Sequence, residues 1–179
     1  MMAGAAQSGP RLFFALWPTD DFRAEIQVRT LAIAHASGGR LIPPRNYHVT
    51  LLFLGNVPSE SVSAVQQAGA QLAGSAAFEL NFDGIECWGR SVLCLTTSTP
   101  PPAAIDLARR LRASLGGHLQ RQDEHEFRPH ITLARDLPRA DAARKVSTLC
   151  QEVTGFALVE SVRDGAASNY SLLARWPLN

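Results

Sequence analysis

The sequence predicts a protein of mixed helices and strands whose two similar lobes share one core. Its 179 residues are enough for one compact domain. Strand-like and helix-like runs follow one another in the order β-α-β-α-β and then β-α-β-α-β-β. Residues 47–51 (YHVTL) precede Pro58 and a predicted helix, and residues 129–133 (PHITL) precede Pro138 and another predicted helix. This repetition indicates an internal duplication, with one copy of the motif in each lobe.

The individual elements follow from local signals along the chain. We expect strands where short apolar runs are bounded by glycine, proline or polar residues. These runs are residues 11–17, 47–54, 78–88, 91–97, 130–134, 156–162 and 170–176. We expect helices where apolar residues recur every three or four positions after a capping residue or a proline. These segments are residues 19–37, 58–73, 100–115 and 141–150.

The repeat also suggests how the domain is divided. We expect residues 1–10 to form a flexible N-terminal tail and residues 11–179 to form one bilobal domain. The first motif then lies in a lobe of residues 11–89 and the second in a lobe of residues 90–179. Exchange of the terminal strands between the two lobes stays open.

Composition excludes several classes of protein. Seventeen basic and sixteen acidic residues give a net charge of +1, so a broad electrostatic surface for duplex nucleic acid is excluded. No apolar run reaches the roughly 20 residues that a membrane span needs. The three cysteines form no CxxC pair and are expected to be small buried residues in a reducing environment. We therefore expect a cytoplasmic monomer that does not contact membranes.

The two His-x-Thr motifs place an imidazole beside a hydroxyl on each of two strands. Residues i and i+2 of a strand face the same side, so His48 lies beside Thr50 and His130 beside Thr132. The apolar residues between them turn to the core. If the lobes pack about a pseudo-two-fold axis, the two pairs face each other across a cleft. Chance would give two such motifs among five histidines only about once in a thousand sequences.

Two facing imidazoles suit acid–base catalysis at phosphorus. Histidine has an unperturbed pKa near 6.5, so one ring can be neutral while the other is protonated. Displacement of an alkoxide from phosphorus needs a base for the attacking water and an acid for the departing oxygen. The attacking and leaving atoms lie roughly in line, so the two groups belong on opposite sides. The threonine hydroxyls can donate to the non-bridging oxygens.

Other readings of the histidines are weaker. Two core histidines could each simply bond to the adjacent threonine, although the pairing of the motifs argues against this. His125, between two glutamates, could join His130 in a metal site, but a solvated loop histidine is the simpler interpretation. A catalytic zinc needs three protein ligands, and the motifs supply two nitrogens. We therefore predict no metal and no cofactor.

The motifs HVTL and PHITLAR, about half a chain apart, resemble the signature of the two-histidine phosphoesterase superfamily. The runs RLFFALWP, LLFLG and YSLLARWPL resemble its bacterial RNA 2′,3′-cyclic phosphodiesterases, formerly called 2′-5′ RNA ligases. The resemblance implies an α+β fold: a bilobal, pseudo-symmetric duplication with an antiparallel sheet in each lobe, outer helices and a central cleft. It also implies metal-independent opening of a terminal ribose 2′,3′-cyclic phosphate to a 2′-phosphate. A reverse joining of RNA ends through a 2′-5′ bond is implied as well.

The resemblance also implies roles for individual residues. His130 would accept the proton of water, and His48 would donate a proton to the departing 3′ oxygen, although two matching motifs leave this assignment reversible. Thr50 and Thr132 would hold the phosphate. Arg135 closes the second motif and would also bind the phosphate, but its odd offset from His130 predicts the opposite face of a regular strand.

Several side chains near the motifs are candidates for contact with RNA. Aromatic stacking is the common way to hold a single-stranded base, and the candidates are Phe14, Tyr47, Phe127 and Trp176. Arg128 lies on the same face as His130 and is a further candidate. Phe53 has an odd offset from His48, so we expect it in the core.

The expected partners are RNA ends or small 2′,3′-cyclic nucleotides. One alternative is a non-catalytic module that binds RNA ends or nucleotides. Another is a related phosphodiesterase that acts on ADP-ribose cyclic phosphate or on 2′-5′ oligonucleotides. The histidines do not distinguish these substrates, because they contact the phosphate and not the rest of the molecule.

Overall fold

The computed structural model describes residues 9–89, 91–115, 127–139, 143–165 and 167–179. Within these segments the strands are β1 (Arg11–Leu16), β2 (Arg40–Leu41), β3 (Val49–Asn56), β4 (Phe78–Trp88), β5 (Val92–Thr96), β6 (His130–Arg135), β7 (Arg144–Val153), β8 (Gly155–Asp164) and β9 (Ala167–Pro177). The helices are α1 (Asp20–Ala36), α2 (Val62–Ala70) and α3 (Pro102–Ser114). Short 3₁₀ turns at Pro44–Asn46 and Ser59–Ser61 precede β3 and α2.

Two antiparallel sheets confirm the predicted α+β fold. The first, sheet A, has the strand order β3-β1-β8-β9, and the second, sheet B, has the order β2-β6-β5-β4-β7. The first motif therefore leads into the edge strand of sheet A, and the second begins an inner strand of sheet B. Each sheet draws strands from both halves of the chain, because β8 and β9 complete sheet A and β2 is added to sheet B.

The helices cover the sheets and close one common core. Thr19 caps α1 by accepting a hydrogen bond from the backbone N–H of Phe22 at 3.3 Å. The Phe22 ring lies 6.3 Å from the Phe82 ring of β4, so α1 packs on sheet B. Phe14 of sheet A, Phe82 of sheet B and Leu111 of α3 belong to one continuous cluster of buried apolar residues. Burial of this apolar surface stabilises both lobes together.

The predicted helix at residues 141–150 is wrong where the structure describes it, because this segment forms β7. Leu149, Gln151 and Val153 alternate with exposed residues, which is the two-residue period of a strand. They pair with the N-terminal part of β4 through an antiparallel register. Within the described residues, the duplication therefore covers the motif strands, and the segment after the second motif forms a strand.

The structure tests the expectation that the three cysteines are buried. Cys94 is buried and Cys87 partly buried, but Cys150 is exposed, because it lies on the outward face of an edge strand. The expectation of three buried thiols is therefore wrong for Cys150.

In the described part of the chain, every helix is too short or too polar to cross a lipid bilayer. The carbonyl of Pro10 accepts a hydrogen bond from the N–H of Val57 at 2.9 Å, which fixes the chain just before β1.

Candidate active site

The histidine and the threonine of both His-x-Thr motifs line one cavity of about 310 Å³. Its walls come from sheet A, sheet B and the segment between β2 and β3. The lining residues are Arg11, Phe13, Ile42, Asn46, His48, Thr50, Phe53, His130, Thr132, Arg135, Ser161, Ser168 and Tyr170. The structure therefore brings together the five residues for which the sequence suggested proton transfer or phosphate binding.

Hydrogen bonds orient the imidazole of His48. Its Nδ1 lies 2.7 Å from the carbonyl oxygen of Asn46, and its Nε2 lies 3.1 Å from Oγ1 of Thr50. A carbonyl oxygen only accepts, so Nδ1 carries a proton and donates it. The remaining nitrogen, Nε2, is the one that can exchange a proton with a ligand in the cavity.

Three aromatic rings surround the same imidazole. The ring centroids of Phe13, Trp17 and Tyr170 lie 5.0, 5.8 and 5.2 Å from that of His48. Burial among these rings lowers the pKa of His48 to about 4, because the charged form loses contact with water. The positive charges of His130, Arg135 and Arg23 contribute to this lowering of the pKa, by less than burial does.

The second imidazole is held in the same way. Nδ1 of His130 donates to the carbonyl oxygen of Arg128 at 2.8 Å, which again leaves Nε2 for exchange. The ring of Trp88 lies against it, with 4.3 Å between the centroids. Burial lowers the pKa of His130, and the positive charges of Arg135 and Arg128 add to this effect.

One unmatched residue in each motif strand shifts the alternation, so that the side chain two positions further along faces the cavity. On β3, Thr50 and Leu52 pair with adjacent residues of β1, so Leu51 is an unmatched residue, a β-bulge. This bulge exposes Phe53 in the cavity, and the expectation that Phe53 packs in the core is wrong. On β6 the register shift leaves Leu133 unmatched in the same way.

The bulge at Leu133 explains the position of Arg135. Its odd offset from His130 predicts the opposite face of a regular strand, but the extra residue reverses that parity. Arg135 therefore lines the cavity beside His130.

The cavity suits an anion. Arg11 and Arg135 contribute positive charge to its lining, and none of the described lining residues is acidic. The guanidinium carbon of Arg11 lies 4.6 Å from the centroid of the Phe53 ring, which is a cation–π contact. The walls thus combine hydrogen-bond donors with one exposed aromatic face, as a phosphate attached to a planar group requires.

The residues for which the sequence suggested stacking on RNA lie elsewhere. Phe14 is fully buried in the core, and Tyr47 is only 4% exposed. Trp176 packs against Phe14 and Phe156 and lines a separate cavity of about 340 Å³, and Phe127 packs against the core. These rings are therefore not available to a ligand at the histidines. Arg128 does not line this cavity either, since its side chain pairs with another strand.

Sequence reasoning missed five side chains around the imidazoles. Phe13, Tyr170, Trp17 and Trp88 touch the histidine rings, and Arg23 supports the first of the two sites. Arg23 is only 7% exposed, donates from Nε to the carbonyl of Tyr47, and lies over the Trp17 ring. The aromatic RLFFALW run was a visible signal, but the face of each ring depends on strand pairing.

The described residues offer no alternative metal site. Within residues 9–89, 91–115, 127–139, 143–165 and 167–179, no three His, Cys, Asp or Glu side chains cluster as metal ligands would. His125, the partner in the metal alternative, lies outside the described residues.

Two lobes that each contribute a His-x-Thr strand to one basic cavity define a two-histidine phosphoesterase. The sequence profile of the 2′-5′ RNA ligase superfamily matches residues 18–165. The chain belongs to this superfamily.

Individual relatives agree with that assignment. The chain is 32% identical to the RNA 2′,3′-cyclic phosphodiesterase of Escherichia coli, over 94% of this chain and 96% of the relative. It is 29% identical to the enzyme of the same name from Thermus thermophilus, over 94% and 90%. Among solved structures, E. coli LigT complexed with 3′-AMP is similar with a TM-score of 0.87 and 30% identity, over 96% of this chain and 99% of LigT.

Proposed function

We propose that this protein is an RNA 2′,3′-cyclic phosphodiesterase that opens a terminal ribose 2′,3′-cyclic phosphate to a 2′-phosphate. The observation that carries the proposal is the convergence of two His-x-Thr pairs on one cavity with basic lining. Relatives that bear this enzyme name match nearly the full chain, and one similar structure holds 3′-AMP. A cyclic phosphate is a monoanion, which suits the charge of the cavity.

The proposed reaction moves two protons in opposite directions. Nε2 of His130 takes a proton from water as the water oxygen bonds to phosphorus. The bond from phosphorus to the ribose 3′ oxygen breaks, and Nε2 of His48 donates its proton to that oxygen. The products are a 2′-phosphate and a free 3′-hydroxyl, with His130 protonated and His48 neutral. Exchange of one proton with solvent at each ring restores the starting state.

The neighbouring groups would stabilise the charge that develops on phosphorus. Thr50 and Thr132 stand beside the histidines on the cavity face and can donate hydrogen bonds to the non-bridging oxygens. Arg135 can hold the same oxygens through its guanidinium fork. Because both Nδ1 atoms donate to carbonyls, each ring presents only Nε2 to the phosphate. This arrangement supplies base, acid and anion binding from side chains alone, so we propose that the reaction needs no metal.

In the free protein, the pKa of both imidazoles lies below its ordinary value, and a bound anion would raise both pKa values. Burial favours the neutral form of His48, yet the proposed donor must carry a proton. A bound cyclic phosphate places negative charge beside the ring and favours the protonated form. Substrate binding therefore brings the proton donor into the state that the reaction needs.

The decisive experiment uses a short RNA that ends in a 2′,3′-cyclic phosphate, incubated with the protein in EDTA. We expect a 2′-phosphate product, identified by phosphorus NMR, and no loss of rate in the chelator. His48→Ala and His130→Ala should each reduce kcat/KM by about 10²–10⁴-fold. Full activity in either variant would refute the assigned roles. Tight RNA binding without product would instead favour a non-catalytic module.

The same cavity could join RNA ends. If the 5′-hydroxyl of a second RNA replaces water, the same acid and base produce a 2′-5′ linkage, in keeping with the name of the superfamily. ADP-ribose cyclic phosphate and 2′-5′ oligonucleotides are parallel substrates for the same assay, and preference for either would revise the substrate class.

We also propose that the protein is a cytoplasmic monomer. The free thiols of Cys87, Cys94 and Cys150 support a reducing compartment. Light scattering of the purified protein tests the oligomeric state.

A further inference from the structure

The carbonyl that orients His130 belongs to a residue that makes no backbone–backbone hydrogen bond within the described part of the chain. Arg128 supplies this oxygen, 2.8 Å from Nδ1 of His130. Pro129 lies between them, has no N–H to donate, and keeps the preceding residue extended. The contacts of the Arg128 side chain therefore help to set the position of its carbonyl.

Glu86 on β4 holds that side chain and its neighbours. Nη2 of Arg128 lies 3.3 Å from Oε2 of Glu86, and Nε1 of Trp88 donates to the same oxygen at 2.8 Å. The hydroxyl of Thr96 donates to Oε1 of Glu86 at 3.3 Å. One carboxylate thus accepts hydrogen bonds from β5, from its own strand and from the segment before β6.

The same carboxylate fixes a stack of three side chains. The guanidinium carbon of Arg128 lies 4.6 Å from the centroid of Trp88, and Trp88 lies 4.3 Å from His130. Glu86 bonds to Arg128 and Trp88, and to neither nitrogen of the imidazole. His130 is therefore held from two directions, by a carbonyl at Nδ1 and by an indole against its ring.

In the other lobe, the residue whose carbonyl orients the histidine is held by a hydrogen bond of its own side chain. There the carbonyl of Asn46 accepts from His48, and Asn46 is itself buried, with its Nδ2 donating to the carbonyl of Ser168 on β9 at 2.8 Å. In both lobes the residue two positions before the histidine is tied to a strand of the same sheet. The Arg128 side chain is 62% exposed, so its contacts with Glu86 and with the Trp88 ring are what hold it in this position.

We propose that Glu86 is a positioning residue that keeps His130 in its Nδ1–H tautomer, with Nε2 directed into the cavity, by fixing Arg128 and Trp88. It contacts neither the proposed phosphate site nor the imidazole, so its effect is transmitted through these two side chains. The part of the proposal that concerns rate rests on the proposed function. The part that concerns the tautomer does not.

The test compares Glu86→Ala with Glu86→Gln and Arg128→Ala. We expect Glu86→Ala to lower kcat about 10-fold with little change in KM, because misplacement of a proton-transfer group slows the chemical step. Glu86→Gln retains an oxygen acceptor for Trp88 and Arg128 and should recover most of the rate. The double variant of Glu86→Ala and Arg128→Ala should be no slower than the slower single variant, since both remove the same support.

Asp106→Ala is the matched control. Asp106 is an exposed carboxylate on α3 that pairs with Arg109 and Arg110, away from the cavity, so its removal should leave kcat unchanged. Multiplicative losses in the double variant, or an unchanged kcat in Glu86→Ala, would overturn the proposal. Thermal melts identify a variant that is unfolded at the assay temperature; if Glu86→Ala is unfolded, Arg128→Ala carries the test, because it removes the same support and should lower kcat in the same way.

A spectroscopic readout separates this proposal from the function itself. Imidazole ¹⁵N NMR distinguishes Nδ1–H from Nε2–H tautomers, and His130→Gln assigns the signals of this ring. At a pH where the ring is neutral, we expect a single Nδ1–H form in the wild type and a mixture of tautomers in Glu86→Ala. An unchanged Nδ1–H spectrum in Glu86→Ala would overturn the proposal even if the wild type is an active phosphodiesterase. The expected change would support it even if the wild type hydrolyses no cyclic phosphate.

Discussion

Phe53 and Arg135 occupy equivalent positions in the two lobes. Each lies five residues after a motif histidine and two residues after an unmatched residue, which is Leu51 in one strand and Leu133 in the other. Both side chains are exposed and both line the cavity. The duplicated backbone thus presents an aromatic face from one lobe and a cation from the other. This asymmetry suits a ligand with a planar group at one end and a phosphate at the other.

We predict that Phe53 stacks on the base of the terminal nucleotide. In Phe53→Ala, KM for a nucleoside 2′,3′-cyclic phosphate should rise about 10-fold, since stacking of a base on an aromatic ring contributes roughly 1–3 kcal/mol. A ribose 2′,3′-cyclic phosphate without a base should be hydrolysed equally well by both proteins. Ile105→Ala on α3 is the control, because Ile105 and Phe53 are both 39% exposed. Equal losses on both substrates would contradict the stacking role.

Arg135 should show the opposite pattern. Because it acts on the phosphate, Arg135→Ala should reduce kcat/KM by about 10-fold or more for substrates with and without a base. Arg135→Lys keeps the charge but loses the guanidinium fork, so it should recover only part of the rate. Steady-state kinetics on both substrates distinguish the two residues. A loss confined to the substrate with a base would place Arg135 at the base instead.

The motif pairs could be predicted from the sequence because they depend on one regular property of a strand. His48 and Thr50, like His130 and Thr132, are two residues apart, and alternation placed each pair on one face. The start of the first helix also followed from residue type, because a helix was expected after a capping residue near position 19 and Thr19 caps α1. These features need only local geometry, so no knowledge of the partner strand was required.

The bulges could not be predicted in the same way. Leu51 is one more apolar residue in an apolar run, so the sequence does not mark it as a bulge. Only the pairing with β1 shows that it has no partner in that strand. The same limit applies to Phe13 and Phe14, two identical neighbours on opposite faces of β1. Pairing decides that Phe13 contacts His48 and that Phe14 enters the core. At β7, the segment predicted as a helix is a strand because of its long-range pairing with β4.

The pH dependence of the reaction follows from the two depressed histidine pKa values. Below the lower apparent pKa of the pair both rings are protonated and no base is present; above the higher one both are neutral and no acid is present. Burial lowers the pKa of both rings, to about 4 for His48. We therefore expect kcat/KM to peak in acid and to fall as pH rises above about 6.5.

Two comparisons check this profile between about pH 4 and pH 9. The profile of kcat should lie at higher pH than that of kcat/KM, because the bound anion raises the pKa of the rings. His35→Gln, on the exposed face of α1, should leave both profiles unchanged. A rise of kcat/KM from about pH 6.5 to pH 8 would contradict the assignment.

We expect Trp176 to stabilise the fold and to have no role in the reaction, and Gly69→Ala tests this. A Cβ added at Gly69 would lie 2.5 Å from Cη2 of Trp176, and the indole is held against Phe14 and Phe156. Helix propensity alone would make Gly69→Ala stabilising by about 1 kcal/mol, whereas overpacking against a packed side chain costs about 1–3 kcal/mol. The clash should dominate, because the contacts with these two rings oppose movement of the indole. We therefore expect a lower free energy of unfolding in urea and unchanged kcat/KM for the folded variant. Gln67→Ala on the exposed side of α2 controls for changes in the helix, and a stabilised Gly69→Ala would show that Trp176 can move aside.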